Sequence, residues 1–209
     1  MKLYSTVCRQ AQAEQIIEKS RFIAYVSPAE TKEEAYAFIA SIKKKHKDAT
    51  HNVPAMVLGD KLQVQWASDD GEPQGTSGAP MVQLLVSEGI TNVVIVVTRY
   101  FGGIKLGTGG LVRAYTSSAK LGLEAAGVCD VEEMCLFTYE LDYTYLARLQ
   151  NMAGSGLFTI SDIAYTDVVE ATLCLPPEKQ DEVMKAVSNL TGGKELMKNQ
   201  RRELVKNKI

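Results

Sequence analysis

Residues 93–97 read Val-Val-Ile-Val-Val, five consecutive apolar side chains branched at Cβ. Branching there crowds a helical turn and suits extended backbone. Successive side chains of a strand point to opposite faces, so a run that is apolar at every position needs cover on both. NVVIVV therefore predicts a central strand, and the remaining elements must shield its two faces.

Directly after it comes TRYFGGIKLGTGGLVRAY, residues 98–115, in which Gly102, Gly103, Gly107, Gly109 and Gly110 are interleaved with Arg99, Lys105 and Arg113. The dinucleotide fingerprint G-x-G-x-x-G does not fit this spacing. The P-loop pattern fails too, because Thr108 stands where its lysine is required. A strand that feeds a glycine loop and then a helix still offers free backbone N–H groups at the positive helix end. Arg99, Lys105 and Arg113, with the N–H groups near Thr108 and Gly109, would suit a phosphodiester, and Gly102 and Gly103 would allow it close approach. The alternative is that the glycines serve positive φ and tight packing while the cations are merely solvated. Residue chemistry alone leaves both open.

A second loop, SDDGEPQGTSGAP, carries Asp69, Asp70 and Glu72. Three carboxylates suit a divalent cation or a partner's basic surface, but EF-hand spacing is absent and Asp-Gly and Glu-Pro are turn material. Ser77 misses the nucleophile elbow because residue 79 is Ala. His51, in ATHNVPA, reads as a loop or core hydrogen-bonding histidine. A hydrolase would have to use it with Asp69 or Asp70, and no complete catalytic constellation is legible. No metal or cofactor is expected.

Around these loops the pattern alternates. EKSRFIAYVSP reads as a strand entering a proline turn. TKEEAYAFIASIKKKHK reads as a helix with Thr31 and Glu34 as capping box, Ala35, Phe38, Ile39 and Ile42 on one face, and a solvated basic end. VPAMVL and LQVQWAS flank Gly59-Asp60 as a hairpin, with Pro54 near a strand start or on an edge. MVQLLVSEG is helical, and the helix after the glycine loop ends near Gly127. From about residue 133 strand, helix, hairpin, helix and strand follow, with Val183, Ala186, Val187 and Leu190 on one helical face. That is βαββαβ, the ferredoxin-like order. The expected domains are residues 1–130 and 131–209, the second with a basic end.

Net charge is −2, which excludes a broadly basic nucleic-acid coat. Residues 131–190 carry ten acidic and three basic side chains, whereas 191–209 carry six basic and two acidic. No apolar run approaches the roughly 20 residues that span a bilayer, and MKLYSTVCRQAQ lacks a secretory core, so a cytoplasmic protein is expected. Cys8, Cys129, Cys135 and Cys174 lack C-x-x-C spacing and read as reduced, partly buried thiols.

Taken together and in this order, ATHN, SDDGEPQGTSGAP and VTRYFGGIKLGTGGLVRAY closely resemble the Impact family, specifically its bacterial two-domain, YigZ-type members. The departures are Val53, where members often carry Cys, and Gln74, where a small residue is usual. The resemblance implies an α+β chain: a ribosomal protein S5 domain 2-like domain, then a ferredoxin-like domain, the pair similar to two adjacent domains of elongation factor G. Eukaryotic relatives regulate translation by competing for an activator of a nutrient-sensing kinase. For this chain the resemblance implies a non-enzymatic binding protein acting on RNA or the ribosome. A protein-interaction module using His51, Asp69, Asp70 and Glu72, or an uncharacterised hydrolase, is the alternative.

Overall fold

A computed structural model describes residues 2–208. The chain folds into two compact units, residues 3–131 with 206–208, and residue 2 with 132–205.

The first unit holds β1 (Lys2–Val7), β2 (Ala11–Ile17), β3 (Ser20–Pro28), α1 (Lys32–Lys45), β4 (His51–Leu58), β5 (Val64–Ala67), α2 (Gly78–Ser87), β6 (Val93–Tyr100) and α3 (Gly107–Ala126). Its main sheet is antiparallel with strand order β2-β3-β6-β4-β5, so β6 is central. Val93, Ile95 and Val97 pack with Phe22, Met81, Leu85, Leu111, Tyr115 and Leu123 beneath α2 and α3. Val94 and Val96 face the other way, onto Ile39 and Ile42 of α1. Burying one such side chain stabilises the fold by about 1.5–3 kcal/mol, which is why the run dictates two covered faces. Pro54 lies inside β4, where its carbonyl accepts from the Ser68 N–H just past the end of β5. Its missing N–H faces that same side and costs no bond to β6.

Thr31 and Glu34 close the capping box at the start of α1. The basic end of this helix is not simply solvated. Lys43 Nζ pairs with Asp70 Oδ1 at 2.6 Å, and His46 is buried between two tyrosines. Tyr100 donates to Asp48 and so accepts from His46 Nδ1 at 2.9 Å, which leaves Nε2 to accept from the Tyr25 hydroxyl at 2.6 Å. Burial, then the neighbouring Lys45, push the His46 pKa down. The ring is held neutral.

The second unit comprises β7 (Val128–Leu141), α4 (Tyr143–Ala153), β8 (Thr159–Tyr165), β9 (Val169–Leu175), α5 (Gln180–Thr191) and β10 (Leu196–Lys208). Its strand order β10-β7-β9-β8 is the ferredoxin-like arrangement, and Phe137, Leu149, Phe158, Leu173, Val183 and Val187 lie in its core. No linker separates the units, because β7 runs unbroken through residues 131 and 132. The basic end of the chain is strand too. The chain is thus α+β, an S5 domain 2-like unit followed by a ferredoxin-like unit.

The cysteine expectation needs correction. Cys8 and Cys129 form a disulfide, with Cα atoms 5.2 Å apart and a sequence separation of 121. Cys135 and Cys174 are free. Spacing rules read local clusters, whereas this pair meets only because the segment after α3 returns to β1, where the Cys8 N–H donates to the Gly127 carbonyl.

Candidate functional site

Two of the three motifs that stand apart in sequence meet on one rung of the sheet, and the third reaches it through the side chain of Glu72. Gln15, Phe22, Arg99 and His51 are register partners on β2, β3, β6 and β4. Strand alternation sends their side chains to the face that α3 covers, where Gln15 Nε2 donates to Ser117 and Ser118.

Arg99 is the centre of this row. Its side chain is 6% exposed and its Nη1 donates to Glu72 Oε1 at 2.7 Å, with the Glu72 side chain 3% exposed. Nη2 donates to Ser20 Oγ at 3.3 Å, while buried Nε has no hydrogen-bond partner. The guanidinium lies over the rings of Phe22 and Phe101, 5.3 and 5.4 Å from their centroids. The Tyr115 hydroxyl also donates to Glu72 Oε1, at 2.7 Å, and burial followed by this bond pushes its pKa up. An ion pair this deep holds its partners in place more than it stabilises the fold. Arg99 therefore braces the loop from below. The expectation that it reaches phosphate oxygens directly meets a guanidinium already engaged and shielded.

The acidic loop is turned inward for the same reason: its carboxylates hold the loop together. Asp69 Oδ1 accepts from the Ser77 and Gly78 N–H groups and from the Ser77 hydroxyl, and Oδ2 accepts from the Gly75 N–H. Burial alone would raise the Asp69 pKa, but these four bonds outweigh it and hold the carboxyl below its usual range. Asp70 takes Lys43 and the Asn52 N–H. Ser77 is fully buried with its hydroxyl on Asp69, so it offers no nucleophile. His51 Nδ1 lies 2.8 Å from the Asp70 carbonyl, which can only accept, so Nδ1 carries the proton and Nε2 stands 3.7 Å from Glu72 Oε2. Among the described residues no three His, Cys, Asp or Glu side chains converge as a metal site.

The glycine loop leaves β6 at Tyr100 and becomes α3 at Gly107. It is pinned at its start, where the Phe101 N–H donates to Thr50 Oγ1 and the Gly102 N–H to Ser20 Oγ. Gly102 is required by close approach: a Cβ there would lie 2.0 Å from the Lys19 carbonyl oxygen. Gly103, at φ +88°, serves the turn itself and is exposed. No side chain caps α3 and no acidic residue lies in its first turn. The N–H groups at Gly107, Thr108 and Gly109 thus form an open positive end. Gly107 and Thr108 border a cavity of about 400 Å³ lined also by His51, Glu72, Arg99, Phe101 and Lys105, among others. Lys105 also lines a neighbouring groove with Gly110 and Arg113. Lys105, Thr108, Gly109 and Arg113 are all exposed.

Chemically this is a cleft with a cationic rim, a helix start and one exposed ring over a floor whose charges are internally paired. Sequence reasoning missed Phe101, Tyr115, Ser20 and Phe22. The first two flank the glycines within the same motif, but only strand register reveals what they touch.

Comparison with known proteins agrees with this convergence. The Impact N-terminal domain matches residues 18–123, which include all three motifs, and the domain of unknown function DUF1949 matches residues 140–194. The IMPACT family member YvyE of Bacillus subtilis is 41% identical over 191 residues, covering 91% of this chain and 88% of that protein. The IMPACT family member YigZ of Escherichia coli is 35% identical over 179 residues, covering 85% and 88%. A solved crystal structure of a hypothetical protein, 32% identical, superposes with a TM-score of 0.60 over 94% of this chain and 97% of that one. The chain belongs to the IMPACT family, as a two-domain member of the bacterial type.

Proposed function

We propose that this chain is a non-enzymatic binding protein that engages the phosphodiester backbone of RNA, free or on the ribosome, in translational control. One observation carries the reading. The three family motifs converge on a cleft whose accessible groups are the uncapped start of α3 and Lys105, with Arg113 in the adjoining groove. Backbone N–H groups and a helix pole favour an anion, and exposed cations beyond the cleft suit one that continues as a chain. Family membership supports the translational setting. The inward carboxylates of Asp69, Asp70 and Glu72 disfavour the rival in which this loop docks a basic partner.

The test is binding of labelled RNA by fluorescence anisotropy across a salt series. Lys105→Ala with Arg113→Ala should weaken binding and lower the log–log salt slope by about 1.4 for single strands, roughly 0.7 per lost contact. Unchanged affinity and slope, with an intact circular dichroism spectrum, would remove this surface from the binding site.

A further inference from the structure

We infer that the cleft is built for single-stranded RNA, with Phe101 as a platform for one unpaired base and the start of α3 with Lys105 as the seat of its phosphate. The inference rests on the phosphodiester reading and adds what that reading leaves open, the state of the strand.

Phe101 is 47% exposed although it borders a cavity and sits between a buried strand and a pinned loop. The Arg99 guanidinium lies over the ring, 5.4 Å from its centroid, and over the Phe22 ring as well, at 5.3 Å. The backbone under Phe101 is tied to Thr50, so the ring is held in position before any ligand arrives. Its exposed surface is apolar and borders the same cavity as Lys105, Gly107 and Thr108. A single exposed phenylalanine is unremarkable on most surfaces. Here it shares one cavity with an uncapped helix start and with a guanidinium, more than nine-tenths buried, whose Nε has no partner.

Those features match the two halves of a nucleotide. A phosphate suits free N–H groups at a helix start beside a lysine. A base has a π-face whatever its identity and stacks on an aromatic ring, and the cation behind that ring strengthens the platform. In a duplex the base faces are already stacked on one another and cannot reach a side chain in a cleft. A cavity of about 400 Å³ is of the size that holds one small ligand, not the width of a helix. The neighbouring groove with Arg113 gives the strand its exit.

The experiment compares full-length protein binding to three probes of equal length: an oligoadenylate, the corresponding RNA duplex, and an abasic strand that keeps the phosphates. Oligoadenylate should bind more tightly than either. Phe101→Ala and Phe101→Leu should each weaken oligoadenylate binding by between about 5-fold and about 150-fold, the range for one lost stack. Both should leave abasic-strand affinity and the salt slope unchanged, and Phe101→Tyr should restore binding. Phe101→Leu keeps apolar volume without a π-face, so it remains informative should the alanine variant fold poorly. Equal affinity for oligoadenylate and the abasic strand, or wild-type behaviour of Phe101→Leu, would overturn the inference while leaving the phosphodiester reading intact. Failure of all three probes to bind would overturn both.

Discussion

Replacing Glu72 by Gln tests whether the buried pair beneath the loop is as isolated from water as its geometry states. Glu72 Oε1 accepts from Arg99 Nη1 and from the Tyr115 hydroxyl, both at 2.7 Å, and neither charged side chain exceeds 6% exposure. The amide keeps an acceptor oxygen but removes the negative charge, so the guanidinium stays buried without a counter-charge. Breaking such a pair from one side costs about 3–5 kcal/mol, and the retained hydrogen bond places this variant near about 3 kcal/mol. With a urea dependence of about 2 kcal/mol per molar, the midpoint should fall by about 1.5 M. The assay is urea unfolding followed by Trp66, the only tryptophan, which lies in the same unit as the site. Arg99→Gln and the double variant complete the cycle. Once both charges are gone the second substitution should cost little, giving a coupling of at least about 2 kcal/mol. A midpoint shift below about 0.5 M, or simple additivity in the double variant, would refute the argument.

Two adjacent glycines should behave differently. Gly102→Ala drives a Cβ into the Lys19 carbonyl and should cost at least about 3 kcal/mol, the upper end of ordinary overpacking, whereas Gly103→Ala meets open space and should cost only about 1–2 kcal/mol of left-handed strain. Equal urea midpoints would show that the backbone approach is not tight. The Cys8–Cys129 bridge closes a loop of 121 residues, for which chain entropy gives about 5 kcal/mol, so dithiothreitol should lower the unfolding midpoint markedly. Unfolded, unreduced protein should label at two thiols, and four would contradict the bridge. His46 has a folded pKa below its unfolded value of about 6.5, so the folded state binds fewer protons, and stability should fall as pH drops below about 6.5. His46→Gln should flatten that slope in urea unfolding between pH 7.5 and 5.5; a slope unchanged by the substitution would assign the acid sensitivity elsewhere.

The elements legible in the sequence were those with strong local signals. The β-branched run of β6, the capping box at Thr31 and the apolar faces of α1 and α5 each declare themselves within a dozen residues. β1 and β2 did not, because AQAEQII alternates only weakly. Its pairing with β3 turns on Glu18 and Lys19, both at positive φ, where no glycine marks a hairpin. Within the site, the loops and their polar residues were visible but the direction of their side chains was not. Arg99 reads in sequence as one of three loop cations, yet it is the penultimate residue of β6, and strand parity points it inward. Glu72 and Asp69 look like a surface acid cluster until their partners, 27 and up to nine residues away, are in place.

The row Phe22–Arg99–His51 also bears on how the cleft comes to be formed. Its members are separated by dozens of residues and meet only when β3, β6 and β4 have paired in the correct register. Pairings of such high contact order close slowly, after local helices have formed, and a one-residue slip would turn every side chain of the row to the opposite face. A collapsed but misregistered chain would therefore keep its helices and lose its cleft. Helical content is accordingly a poor measure of correctly folded material, and for a chain still being synthesised the cleft cannot exist until β6 has been made.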